Sequence, residues 1–111
     1  MQLDNEYLML IGEMIHNIRM NRPMSLEGLQ ADVVLEAAIL RWLEVIGAAA
    51  ANVSTDFTDL HPEIHLDRFV DLYQRLIKVD FKLDQPWLWD LIGQDLPILG
   101  KQVARVLQDH S

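Results

Sequence analysis

The chain has 111 residues, enough for one domain and too few for two, so we expect a single domain over residues 1–111. Half of the residues are hydrophobic, which excludes a disordered tail. Lys and Arg number 9 against 17 Asp and Glu, and the resulting net charge of -8 disfavours non-specific binding to nucleic acid or anionic membrane.

The first half of the chain is dominated by two long apolar patterns. Apolar residues at three- and four-residue steps predict an amphipathic helix from about Leu3 to Met20. Ser25 is predicted to cap a short helical turn, and Asp32 begins a long helix that reaches about Asn52. This helix is apolar nearly all round, which predicts the centre of a bundle or the seam of a dimer. Its end at Gly47–Ala51 lacks bulky side chains and allows a neighbouring backbone to approach closely.

The second half contains prolines that mark helix starts. We predict a loop from Ser54 to His61, then a helix with Pro62 in its first position that runs to about Asp80. Pro86 starts a last helical region, and Pro97 either kinks it or begins a separate terminal helix. No alternating strand pattern is present. The sequence therefore predicts an all-α, antiparallel bundle of four to five helices.

Several classes of protein are excluded or disfavoured. The chain has no Cys, so disulfide scaffolds, thiol nucleophiles and thiolate zinc sites are excluded. Residues 1–6 lack the basic start of a secretory signal, and we expect a cytoplasmic location. Glu36, Arg41 and Glu44 interrupt the apolar stretch from Val33 to Val53, so it predicts a buried helix and no membrane association.

Two histidines raise the question of a metal. His61 and His65 lie four residues apart with Glu63 between them, so both imidazoles can face one ligand on a helical turn. No third ligand converges on them, and a surface or capping role is the preferred interpretation. We therefore predict no metal, and the five scattered glycines indicate no phosphate loop and no cofactor.

Charged residues offer two interpretations each. Arg68, Arg75, Lys78 and Lys82 follow one another along the predicted fourth helix, either as a phosphate-binding stripe or, preferably, as a solvated face with an Asp71–Arg75 ion pair. The i,i+3 pair of Arg41 and Glu44, together with Glu36, marks either a functional groove or the exposed edge of the long helix.

The chain has three tryptophans, Trp42, Trp87 and Trp89. We predict that they are core or interface anchors, because a base-stacking role needs basic residues around the ring.

Four segments in chain order match one family pattern. Residues 38–49 resemble R-x-L-E-x-I-G-E-A, and residues 61–64 match h-P-x-I. Residues 75–77 and 81–84 are similar to parts of R-N-R-L-I-H-x-Y-F-x-V-D, and residues 89–99 to W-x-x-I-x-x-D-L-P-x-L. Together they resemble the HepT-like family, a branch of the HEPN domains of bacteria and archaea.

The resemblance implies a HEPN-like helical bundle that forms a homodimer through its long helices. Active members of the family are metal-independent endoribonucleases that act as toxins. They carry an Arg-x4-His-x-Tyr motif in a groove at the dimer interface. Their partner is a minimal nucleotidyltransferase antitoxin, which adenylylates the motif tyrosine.

The catalytic motif is lost in this chain. The resemblance places Tyr73 at the family's Arg, Gln74 at its Asn, Lys78 at its His and Asp80 at its Tyr, while Ala48 replaces a Glu. Lysine is a poor proton carrier near neutral pH because it holds its proton there. Tyr73 supplies no cation, and Asp80 would repel a scissile phosphate. These changes argue against family-type RNA cleavage.

Three hypotheses follow. The first is a HepT-like protein of toxin-antitoxin type with a degenerate motif, acting as a dimeric binding or regulatory protein. The second is an endoribonuclease with a rearranged site formed by Arg75, Lys78 and Arg41. The third is a helical adaptor unconnected with RNA. A groove for RNA or a partner is predicted to contain five residues: Arg41, Glu44, Arg68, Arg75 and Lys82.

Overall fold

The structure, a computed structural model, describes residues 2–109, and most of these residues lie in helices, with no β-strand among them. The all-α prediction is confirmed. Seven α-helices follow the chain, with one π-helical segment at Leu91–Asp95 before the last: α1 (Gln2–Asn21), α2 (Leu26–Ala31), α3 (Val33–Asn52), α4 (Thr55–Leu60), α5 (Leu66–Leu76), α6 (Gln85–Asp90) and α7 (Leu96–Asp109).

Four longer helices form the bundle and pack side by side in the order α5, α3, α1, α7. Asp4 near the start of α1 bonds to Ser54 just after α3, so these two helices are antiparallel. The predicted central position of α3 is confirmed, because α3 packs against both α1 and α5. Its buried face contributes Ile39, Leu43 and Ile46 to one continuous apolar core.

The predicted starts of the first three helices agree with the structure. The Ser25 hydroxyl accepts a hydrogen bond from the backbone N–H of Gly28 at 3.1 Å and caps α2. The Asp32 carboxylate accepts one from the N–H of Leu35 at 2.9 Å and caps α3. Both caps satisfy backbone donors that a helix start leaves without an intrahelical partner.

Gly47 is the point of closest approach between α3 and α5. A Cβ atom at this position would lie 2.5 Å from the backbone oxygen of Phe69 and would also clash with the Cβ atom of Tyr73. The missing side chain therefore allows α5 to pack directly against the α3 backbone. The predicted close approach at the small-residue end of α3 is confirmed.

The predicted loop from Ser54 to His61 is wrong, because residues 55–60 form α4. The Ser54 hydroxyl accepts a hydrogen bond from the N–H of Phe57 at 3.1 Å and caps this helix. The Phe57 side chain is buried in the core and anchors it. The other residues near Phe57 are mostly polar, so the sequence of α4 lacks the repeated apolar positions that predict a helix.

The predicted helix from Pro62 to Asp80 is too long at both ends. The chain turns at residues 61–64, and α5 begins only at Leu66, so Pro62 precedes the helix and is not its first residue. At the other end, the N–H of Lys78 bonds to the carbonyl of Arg75 at 3.2 Å, which tightens the last turn. The helix stops at Leu76 because the next four residues, 77–80, are all exposed and do not face the core.

Pro97 both interrupts the regular α-helix of the last helical region and lies at the start of a separate terminal helix, so each of the two predicted alternatives holds in part. Asp84 caps α6, and Pro86 lies in its first turn as predicted. Pro97 lies in the first turn of α7, directly after the π segment. A proline cannot donate to the carbonyl four residues earlier and clashes with it, and that carbonyl belongs to Gly93 inside the widened segment. The π turn lets the helical path continue through the proline.

Asp4 joins the start of α1 to the corner between α3 and α4. It is only 5% exposed, and its carboxylate accepts hydrogen bonds from the Ser54 N–H at 2.9 Å and the Ser54 hydroxyl at 2.6 Å. Burial raises the pKa of Asp4, but the two bonds from Ser54 outweigh it and hold that pKa below its ordinary value. The charged Asp4 carboxylate therefore links α1 to the segment between α3 and α4.

We expect Gly47→Ala to lower the free energy of unfolding by about 2–3 kcal/mol, because the new methyl group meets backbone and Cβ atoms that cannot rotate away. Gly12→Ala is the matched control, since nothing lies within 4 Å of a Cβ at that helical glycine. The control should gain about 0.5–1 kcal/mol from helix propensity. Urea unfolding measures both, and an unaffected Gly47→Ala variant would contradict the close approach.

We expect Asp4→Ala to cost about 1–3 kcal/mol at pH 7, because two donors on Ser54 lose their acceptor. The pKa of Asp4 in the folded state lies below the unfolded value of about 3.9. The hydrogen bonds to the charged carboxylate therefore contribute fully to the free energy of unfolding above that pH. Their contribution is lost as the pH falls through the folded pKa. The difference between wild type and variant should therefore shrink below pH 4 in urea titrations. Glu6→Ala, an exposed acid on the same helix, serves as control and should change little at any pH.

Candidate functional site

The predicted basic stripe is not one surface. Helix α5 ends before Lys78 and Lys82, so only Arg68 and Arg75 lie on it. Arg68 faces the π segment and α7, where it lies beside Asp95 and Gln102. The predicted Asp71–Arg75 ion pair is not formed between these described side chains. The structure separates Arg68 from the other three cations.

Arg75, Lys78 and Lys82 come together in an open cleft of about 410 Å³ between the end of α5 and the start of α6. We call it the basic cleft, and its lining residues are Arg75, Lys78, Asp80, Phe81, Lys82, Asp84 and Trp87. Its volume lies within the range of small-molecule sites.

The walls of the basic cleft are held by specific bonds. The Phe81 N–H bonds to the Lys78 carbonyl at 3.1 Å, which closes the turn after α5. Gln85 donates from its side-chain nitrogen to the carboxylate of Glu36, which ties α6 to α3. Phe81 and Leu83 pack partly buried against the core. The segment from 77 to 84 therefore joins α5 to α6 and forms one wall of the cleft.

The three cations of the basic cleft have no bound carboxylate. Within residues 2–109, no carboxylate oxygen lies within 4.0 Å of a side-chain nitrogen of Arg75, Lys78 or Lys82. Asp84 instead accepts a hydrogen bond from the N–H of Trp87 at 3.0 Å and caps α6. The lining groups carry a net charge of +1, in a chain whose net charge is -8.

Trp87 differs from the prediction made for all three tryptophans. Trp42 and Trp89 pack against the core, and Trp89 also lies under Arg22, whose Cζ atom is 4.4 Å from the ring centroid. Trp87 is 38% exposed and lines the basic cleft. It therefore has the basic surround that the sequence did not reveal, because Arg75 and Trp87 are brought together only by the turn after α5.

Tyr73 lies in a different depression from Lys78 and Asp80. We call this depression, of about 260 Å³, the α1/α3 groove, and it is lined by Tyr7, Leu10, Arg41, Glu44, Val45, Ala48, Ala49, Asn52 and Tyr73. Gln74 is exposed and lines neither site. The positions equivalent to the family motif are therefore divided between two surfaces.

Arg41 and Glu44 form the ion pair that their spacing predicts. The Arg41 guanidinium donates to the Glu44 carboxylate at 2.9 Å, with the arginine side chain 71% exposed. Both line the α1/α3 groove, away from Arg75 and Lys78. The rearranged set of Arg75, Lys78 and Arg41 is thus not assembled at one site within a chain.

His61 and His65 face separate carboxylates. The Nδ1 atom of His61 lies 3.3 Å from Glu63, and its ring stacks on Phe57 at a centroid distance of 4.5 Å. His65 lies 4.0 Å from Asp67. A hydrogen bond from its own backbone N–H, followed by the effect of His61, lowers the pKa of Glu63 below its ordinary value. In the described part of the chain, no group of three metal-ligating side chains converges.

No histidine described by the structure lines the basic cleft or the α1/α3 groove. His16 lies on the exposed side of α1, beside Glu13 and Asn17, and the other two described histidines flank the start of α5. Both surfaces therefore lack the side chain best suited to moving a proton near neutral pH.

Within residues 2–109, no helix combines the length and apolar character needed to cross a membrane.

Comparison with known proteins gives one consistent family. A family model described as ribonuclease HepT-like matches residues 5–106. The chain is 35% identical over 95 residues to a protein of Thermococcus cleftensis named as a probable ribonuclease HepT, which covers 85% of this chain and 86% of that relative.

Other relatives carry similar names. A candidate RNase of Caldanaerobacter subterraneus is 32% identical over 85 residues, covering 77% of this chain and 76% of the relative. Another, from Methanocaldococcus jannaschii, is 32% identical over 73 residues, covering 66% of this chain and 67% of the relative. No solved structure gives a significant match.

Proposed function

The chain belongs to the HepT-like ribonuclease family, and from this membership we propose that it is a HepT-like HEPN protein that has lost RNA cleavage and works as a dimeric binding or regulatory protein. The proposal treats residues 1–111 as a single HepT-like domain. The observation that carries it is the absence of a described histidine from both surfaces that contain the motif-equivalent positions.

Cleavage of RNA by attack of a 2'-hydroxyl needs a group that takes a proton and a cation that stabilises the phosphate. Lys78 contributes a cation to the basic cleft, but no described imidazole accompanies it there. Tyr73 lines the α1/α3 groove instead, and a tyrosine cannot replace the cation of an arginine. Asp80 places a carboxylate beside Lys78, which opposes the approach of a phosphodiester. These features support binding without cleavage.

Uncovered apolar residues on α3 support the dimer. Val33 and Val34 near its start are 75% and 80% exposed, and Val45 and Ala48 line the open α1/α3 groove. An apolar helix gains free energy by covering such residues. We propose that a second copy packs its α1 and α3 against this groove. Small residues there, such as Ala48, let two helices approach closely.

We also propose a link to a toxin-antitoxin pair with a minimal nucleotidyltransferase. The motif tyrosine that such an antitoxin modifies is replaced by Asp80, so the pairing would act by contact and not by adenylylation. An adaptor that is unconnected with RNA is the alternative, and complete absence of RNA binding by the purified chain would favour it.

We expect the purified chain to leave both structured and single-stranded RNA intact, because no described histidine lines either surface. Gel analysis after incubation with excess protein measures this. A variant restored with Tyr73→Arg, Lys78→His and Asp80→Tyr shows whether the geometry still supports the chemistry. Specific cleavage by the wild type that Lys78→Ala abolishes would contradict the proposed function.

We expect a dimer in sedimentation velocity at micromolar concentration. Ala48→Arg places a charged side chain in the α1/α3 groove and should shift the chain to monomer, because a buried unpaired charge opposes association. Ala104→Arg, at an exposed position on α7, is the matched control and should leave the dimer intact. A wild-type monomer at this concentration, or equal behaviour of both variants, would contradict pairing through this groove.

A further inference from the structure

A groove between the end of α3, helix α4 and the first half of α5 has an aliphatic floor and an acidic rim. We call this groove, of about 420 Å³, the acidic groove, and its lining includes Ala51, Thr58, Ile64, Asp67, Val70 and Asp71. We propose that it binds a basic amphipathic helix of another protein. Aliphatic side chains of that helix cover the floor, and its Arg or Lys side chains pair with the rim.

The acidic groove is separate from the two surfaces already described. No described residue that lines it also lines the basic cleft or the α1/α3 groove. The proposal therefore depends neither on the proposed dimer nor on the loss of RNA cleavage.

The floor of the acidic groove is aliphatic surface that the fold leaves uncovered. Val70 is only half-buried although it lies midway along α5, and Ala51 is exposed at the end of α3. Leu60 is 68% exposed and lies two residues from both Thr58 and Pro62, which line the groove. Covering such surface gains free energy. No described Phe, Tyr or Trp lines the groove, so it offers aliphatic contact and no ring on which a base could stack.

The rim of the acidic groove is negative because its carboxylates lack basic partners. Within the described chain, no Lys or Arg side-chain nitrogen lies within 4.0 Å of Asp67 or Asp71. Arg68, which follows Asp67, instead lines a different depression beside Asp95. Residues 42–67, which include α4 and the turn before α5, contain five acids and no Lys or Arg. The groove therefore lies in the part of the chain with the greatest excess of negative charge.

Charge complementarity selects a basic partner for this aliphatic groove. The rim repels an RNA strand or an acidic peptide and attracts Arg and Lys side chains. Asp67 and Asp71 lie one helical turn apart, and two cations four residues apart on a facing helix have the same spacing. A guanidinium also matches a carboxylate with two parallel hydrogen bonds. A helix that lays its apolar face in a groove is a recurring mode of peptide recognition.

A helix uses the acidic groove more fully than a small amine does. The Asp67 side chain is 81% exposed, so water screens a single ion pair with it, and that pair contributes little by itself. The aliphatic floor stabilises only a ligand that also covers it. An amphipathic helix supplies aliphatic and cationic side chains on one face.

The test uses a fluorescein-labelled, helix-forming peptide of about 18 residues, with two arginines four residues apart and two leucines on the same face. Fluorescence anisotropy follows its titration with the full-length protein. Two further peptides carry glutamate in place of both arginines, or serine in place of both leucines. We expect the arginine peptide to bind, the glutamate peptide not to bind, and the serine peptide to bind at least about tenfold more weakly. Raising the salt from about 0.05 M to about 0.3 M should weaken binding of the arginine peptide.

Charge variants locate the rim. Asp67→Asn combined with Asp71→Asn should weaken binding of the arginine peptide by about threefold to tenfold, because two ion pairs are lost. Glu6→Gln combined with Glu13→Gln is the matched control, since it removes the same charge from exposed positions on α1. This control should change the affinity by less than about twofold.

A second pair of variants locates the floor. Val70→Ser removes aliphatic contact from the groove and should weaken binding of the arginine peptide by at least about threefold. Val79→Ser is the matched control, because Val79 is fully exposed in the turn after α5 and lies outside the groove. Circular dichroism confirms the folding of every variant.

Absence of binding at about 1 mM protein would overturn the proposal, as would equal binding of the arginine and glutamate peptides. Equal effects of the two double variants would also overturn it, because binding would then depend on overall charge and not on this groove. Displacement of the peptide by an equimolar amount of 1,4-diaminobutane would overturn the helix in favour of a small diamine.

Sedimentation velocity tests a second copy of the chain as the occupant. We expect the double variant of Asp67 and Asp71 to have the same oligomeric state as the wild type. An assembly larger than a dimer that this variant abolishes would overturn the proposal in favour of self-association. RNA cleavage and dimer formation are measured separately, so a failure here is distinguishable from a failure of the proposed function.

Discussion

The direct packing of α5 against the backbone of α3 at Gly47 is the constraint on which the rest of the structure depends. With no Cβ atom at this position, the Phe69 carbonyl and Tyr73 can lie where a side chain would otherwise stand. This contact fixes the position and direction of α5. The end of α5 then determines where Arg75 emerges and how the chain turns back towards α6. The positions of both candidate surfaces therefore depend on the absence of a side chain at Gly47.

A second fixed contact lies near the same end of α3, at Ser54 just after its last residue. Ser54 donates two hydrogen bonds to the buried carboxylate of Asp4 and also accepts one from the N–H of Phe57. One residue thus satisfies a buried charge and caps α4. Together with the Gly47 contact, it ties α1 and α5 to α3.

The surfaces show how an acidic protein can hold a local basic site. The chain carries an excess of carboxylates, yet three cations in the basic cleft have no bound carboxylate in the described structure. Asp84 is occupied as a helix cap, which leaves Asp80 as the remaining acid of the lining. Family membership connects the chain to ribonucleases, and the fold places Tyr73 on a different surface from Lys78 and Asp80.

The sequence by itself determined the helical class, the extents of α1 and α3, the caps at Ser25 and Asp32 and the close approach at Gly47. These features follow from periodicity and from local hydrogen bonds within a few residues. The tertiary structure alone decided the rest. Helix α4 depends on burial of Phe57, and α5 ends where the core ends, at Leu76. The basic cleft joins Arg75 to Trp87 across a turn, so no spacing along the chain could reveal it.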